Sequence, residues 1–146
     1  MAFTGNWTCN TFKTGLMNGS FDFTSGTFYI ALYTNAATLD ATTTTYTGTT
    51  GEVVASVASG YTAGGNLLTI SQAPTTGNQT GAATSYISFS NTSWSGAITA
   101  RGALIYKTGA DGAVCVLDFG ADKTSTTTFT VQFPAVTDTS AIIRIS

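Results

Sequence analysis

The stretch ARGALIYKTGADGAVCVLDFGADK, residues 100–123, carries Arg101, Lys107, Asp111, Asp118, Asp122 and Lys123 in a chain with only five Lys and Arg and seven Asp and Glu. Paired carboxylates do general acid–base work, and two at a set separation are what glycoside hydrolysis needs. Asp111, Asp118 and Asp122 supply the residue type. One of them would have to be buried to hold its proton at neutral pH, whereas a turn aspartate and a strand-end aspartate stay in water. The chain has no histidine, which removes the usual general base and any Ser-His-Asp arrangement. Ser and Thr are abundant but have no base beside them. The spacing around Asp111 and Asp122 is not that of a calcium loop. Cys9 and Cys115 are too far apart in sequence for a zinc knuckle; they read as small buried thiols, with a disulfide between them as the alternative. No catalytic, cofactor-binding or metal-binding set emerges, and the expectation is a protein that is not an enzyme.

The elements that hold these charges are strands. From Ile98 to Lys107 the even positions include Leu104 and Tyr106, and the odd ones Arg101, Ile105 and Lys107. After the turn TGADG, Ala113, Cys115, Leu117 and Phe119 alternate with Val114, Val116 and Asp118. This is a hairpin, with Gly109, Asp111 and Gly112 as turn residues. Strict alternation places Arg101, Ile105, Lys107, Val114, Val116 and Asp118 together on the face away from the core. A face mixing aliphatics with charges reads as a covered surface, so these six form a candidate interface to another subunit. The competing expectation is that a second layer of the same domain covers them.

Elsewhere TFYIALY (27–33), LLTIS, SYISFS, TTFTVQFP and AIIRIS show the same period of two, separated by turn signals. Phe28, Ile30, Leu32, Leu104, Leu117, Phe119, Phe129, Val131 and Phe133 are the expected core. EVVASVAS (52–59) reads as a weaker strand, residues 37–51 as a long loop or edge strand, and GYTAGGN (60–66) as a turn. One short helix is expected at NTFKTGLMNG, with Phe12, Leu16 and Met17 on one side, Asn10 or Thr11 as cap, and Gly19 ending it. Gly15 weakens that helix. The fold class is all-β, an antiparallel β-sandwich of jelly-roll or Ig-like type with one short N-terminal helix, in a single domain over residues 1–146.

Composition narrows the partners. Charged residues make up 8% of the chain and the net charge is −2, so no basic face exists for nucleic acid. No run of 18 apolar residues suggests a membrane span, and the N-terminus lacks the pattern of a secretory signal. Sequons at Asn6, Asn18, Asn78 and Asn91 carry little weight in so Thr/Ser-rich a chain. A weakly charged surface favours association. Two tryptophans and six tyrosines fit core packing or subunit contact better than sugar stacking, although glycan binding stays open.

Taken in order, FKTGLMNGSFDF, TFYIALYTNAATLDATTTTY, EV…GYTAGG, NTSWSGAITARGALIY, VLDFGADK, FTVQFP and AIIRI resemble a family of small virion-associated proteins of tailed bacteriophages. The similarity runs from about Phe12 to the last residue, and VVASVAS before Gly60 is longer than in that family. The resemblance implies a structural protein of the virion, assembled in the bacterial cytoplasm, without catalytic residues to carry over. Its expected role is capsid decoration, as a cement protein on the outer shell. The partners would be the major capsid protein, copies of itself (a trimer among the options), or both. The alternatives are a tail or neck component and a virion carbohydrate-binding module.

Overall fold

The computed structural model describes residues 3–48, 50–77 and 83–146; the sequon at Asn78 lies outside them. The elements run β1 (Trp7–Thr8), α1 (Asn10–Asn18), β2 (Phe28–Tyr33), β3 (Asn66–Leu67), β4 (Ile70–Gly77), β5 (Thr84–Phe89), β6 (Thr92–Trp94), β7 (Ile98–Lys107), β8 (Ala113–Ser125), β9 (Phe129–Val131) and β10 (Ile143–Ile145). They form a five-stranded sheet in the order β1-β8-β7-β2-β3, a three-stranded sheet β10-β5-β4, and a β6-β9 pair, with every pairing antiparallel. The fold is all-β and sandwich-like.

The large sheet is built on β2, β7 and β8. Phe28, Ile30 and Leu32 face the second layer, where Phe28 stacks on Phe23 at 4.5 Å and meets Phe89 at 6.1 Å. Phe129 joins the same core between Phe119 and Trp94. Of the nine expected core residues, Phe28, Ile30, Leu32, Leu104, Phe129 and Val131 are buried, while Leu117, Phe119 and Phe133 are partly buried against them. The other face of the sheet is covered as well. Tyr106 stacks on Tyr46 at 4.7 Å and on its cross-strand partner Tyr29 at 5.9 Å, and Phe3 lies against Gly102.

Helix α1 differs from expectation at its start. Its N-cap is Cys9, which makes no side-chain capping bond. Asn10 and Thr11 are drawn elsewhere: the Thr11 hydroxyl donates to the Ala113 carbonyl at 3.0 Å, and the Asn10 amide donates to the Ala41 carbonyl. The far end is as expected, with Gly19 left-handed at φ 77. Phe12 is buried and Leu16 partly so, but Met17 is exposed. Gly15 is buried against the Phe21 ring, which explains a glycine in mid-helix. Residues 37–48, 50 and 51 form turns and loop, not a strand. The expected weak strand 52–59 is reduced to isolated bridges at Glu52 and Ser56; Val53 is buried, but Val54 and Val57 are exposed, so the segment does not alternate as a strand would.

Candidate functional site

The hairpin that concentrates the charge is present. Its turn places Gly109 (φ 111) and Asp111 (φ 52) in the left-handed region, and the Lys107 amide donates to the Gly112 carbonyl at 2.7 Å. The six candidate interface residues do not share one outer face. Ile105 pairs with Cys115, and Leu104 with Val116, so Ile105 and Val116 point to opposite sides. Two irregularities in the ladder cause this, one near Tyr106 and one at Arg101. Between the pairs Ala100↔Lys123 and Gly102↔Asp118, β7 advances two residues while β8 advances five, with Gly120 left-handed in the excess. Such a bulge resets the facing of everything beyond it.

Ile105, Val114 and Val116 are each 0% exposed within the chain itself. The aliphatics are therefore part of the domain's own core, and the expectation that a neighbouring subunit covers them is corrected. Both neighbouring runs, GALIY (102–106) and AVCV (113–116), are unbroken in small or apolar residues, the pattern of a strand buried on both faces. The three charged residues are half-buried and serve the fold. Arg101 forms an ion pair with Asp118 and lies over the Phe3 ring, 5.8 Å from its centre. Asp118 also accepts from the Gly120 amide at 2.8 Å, and its own amide donates to Asn6 Oδ1 at 2.7 Å. Lys107 Nζ donates to the Ser20 carbonyl at 2.6 Å above the Phe21 ring. Asp111 and Asp122 are exposed.

The densest polar cluster lies elsewhere, around Glu52, the chain's single glutamate. Its Oε1 accepts from the Tyr61 hydroxyl at 2.8 Å and from the Gly64 amide at 2.6 Å, while Oε2 accepts from the Tyr46 hydroxyl at 2.8 Å. Tyr61 Oη in turn accepts from the Leu32 amide at 2.9 Å, filling the gap on the edge of β2 between β3 and the Tyr33↔Glu52 bridge. Tyr106 donates to the Gly64 carbonyl at 2.8 Å. Burial, with the nearby Glu52 carboxylate, pushes the Tyr106 hydroxyl up to about 12 and those of Tyr33, Tyr46 and Tyr61 well above the usual tyrosine range. These groups are neutral donors that hold a loop, not acids poised to react. The GYTAGG segment (60–65) is the turn of this cluster: Gly65 has φ 77, and a Cβ there would collide with the Ile30 carbonyl. A lone Glu followed by an aromatic–Gly–Gly run was the available sequence signal.

The two cysteines are buried free thiols. Burial raises Cys9 to about 11, with Asp40 adding to it, and raises Cys115 to about 12, with Cys9 adding to it. Neither is a reactive thiolate at neutral pH. Among the described residues no group of three or more His, Cys, Asp or Glu could hold a metal ion. Among the described residues no helix is long and apolar enough to cross a membrane.

No protein-family model, curated protein or solved structure matches this chain.

Proposed function

We propose that the protein is a non-catalytic structural subunit of a tailed-bacteriophage particle, acting as a decoration protein on the outer capsid surface. The observation that carries the reading is where the family-like segments fall in the fold. FKTGLMNGSFDF contains the Gly15–Phe21 contact, and EV…GYTAGG contains the Glu52 cluster. NTSWSGAITARGALIY holds Gly96, packed on the loop at Ala58 and Ser59, and the doubly covered part of β7. What resembles the family is scaffold, as suits a subunit whose role is to present a shape. The aspartates support the same reading: Asp118 is tied to Arg101, and Asp22 and Asp40 are held in local turns by Thr24, Ser25 and Thr42.

Decoration is favoured over glycan binding because Trp94, Tyr33, Tyr61 and Tyr106 are buried. Trp7 is the one aromatic among the exposed large hydrophobics, so the described surface has no platform of several rings for sugars. A tail or neck position remains the alternative within the structural class. Purified particles of the phage that encodes the chain decide between them, by quantitative mass spectrometry and imaging. Decoration requires hundreds of copies on the shell, whereas a tail or neck ring holds about six or twelve. Absence from the particle overturns the proposal, as does a hydrolase activity abolished by Asp118→Asn with the fold intact.

A further inference from the structure

Helix α1 and β10 border an open cavity of about 1050 Å³. Every residue from Ile142 to Ser146 lines it. Side chains of a strand alternate between faces, so consecutive residues in one wall mean that the cavity runs along the edge of β10, not over one face. β10 is one of the two edge strands of its sheet and, among the described residues, is paired on one side only, with β5. No described residue pairs with its other side, which makes that edge a template for a further strand.

The floor of the cavity is apolar, with Phe12 and Leu16 from the helix and Val114 from β8. Ile145, at 54% exposure, extends that apolar surface to the rim. The side-chain charges in the wall are Lys13, Arg144 and Asp138. Asp138 is buried and already engaged. Lys13 Nζ donates to Asn10 Oδ1 at 3.3 Å, and the Arg144 guanidinium donates to the Thr139 carbonyl. The ion pair among the described residues is Arg101 with Asp118, so both cations border the cavity without a salt-bridged carboxylate.

We propose that this edge accepts an extended segment of a different protein, added as a strand along β10, with apolar side chains on the floor and a carboxylate facing Arg144. Recognition by strand addition takes its affinity from main-chain hydrogen bonds and its specificity from alternate side chains. A second copy of this chain is the poorer occupant. Two β10 strands paired about a two-fold centred on Arg144 would set Arg144 against Arg144, and like charges directly opposite are destabilising. The reading does not depend on where in a particle the protein sits.

The test titrates the full chain with two short, end-blocked peptides of alternating valine and charge, one carrying Glu and the other Lys. Binding and backbone hydrogen exchange are both followed by NMR. The Glu peptide is expected to bind at least about tenfold tighter, since two cations reward one sign and repel the other. It should slow exchange in Ile143–Ile145, and N-methylation of alternate peptide amides should abolish its binding. Arg144 is exposed, so Arg144→Glu should keep the melting temperature and reverse the preference between peptides. Equal binding of the two peptides, binding of neither, or binding without protection at Ile143–Ile145 overturns the proposal. Protection that rises with protein concentration alone also overturns it, by assigning the edge to a second copy.

Discussion

Val116 lies fully buried between Leu104 across β7 and Trp7 across β1. Val116→Lys would bring an ammonium into that layer, where the carboxylate on the same face of the strand, Asp118, is already paired with Arg101. Leaving a charge unpaired in a core costs on the order of 4 kcal/mol or more, a large part of a domain's stability. The variant is expected to lose cooperative unfolding, as read by circular dichroism in urea. Asp122→Lys, at an exposed position of the same strand, is expected to stay within about 0.5 kcal/mol of the parent. Equal midpoints for the two variants would mean that Val116 is not core.

At the scale of elements, opposing effects meet in helix α1. Gly15→Ala gains roughly 1 kcal/mol of helix propensity. The added methyl meets the Phe21 ring, and overpacking of that kind costs typically about 1–3 kcal/mol. A net loss near 1 kcal/mol is expected, and Phe21→Leu in the same chain should recover part of it in a double-mutant cycle. A more stable Gly15→Ala would show that the ring swings away freely. The loop that closes the edge of β2 depends on Glu52 in the same specific way. Glu52→Ala leaves the Gly64 amide and the Tyr46 and Tyr61 hydroxyls without their acceptor; bonds to a charged group contribute about 1.5–3 kcal/mol each, and water recovers part of that at a half-buried site. A loss of about 3 kcal/mol is expected, with Glu52→Gln losing roughly half because Tyr46 can accept from the new amide. Chemical denaturation of the three proteins checks the order.

Over the whole molecule, the tyrosines give stability a pH limit. Tyr33, Tyr46, Tyr61 and Tyr106 all have folded pKa values raised above the ordinary ~10 by burial and by Glu52. With raised values the folded state keeps protons that the unfolded chain gives up. Stability is therefore full below about pH 10 and falls as pH rises through the folded values, which for Tyr106 is about 12. The midpoint in urea should decline steadily above about pH 10, and Tyr46→Phe should flatten that decline while lowering the value at pH 7. A midpoint independent of pH up to about 12 would contradict the buried cluster.

Alternation in β2 and in FTV (129–131), the Gly-rich hairpin turn and the Gly19 stop were legible because each is a local property of backbone and side-chain periodicity. That is why the all-β class and most core residues could be read without coordinates. The facing of Ile105 and Val116 was not legible, because facing beyond a bulge depends on how many residues each strand spends there, and pairing sets that number. Period-two reasoning also assumes one wet face. Here the sheet is dry on both, covered by Phe3 and by the aperiodic loop that carries Tyr46 and Glu52. A loop without periodicity announces no destination in its sequence, since its packing is a long-range contact between segments. Only the tertiary structure therefore decided that the hairpin's aliphatics belong to the core, and that the edge of β10 borders an apolar cavity.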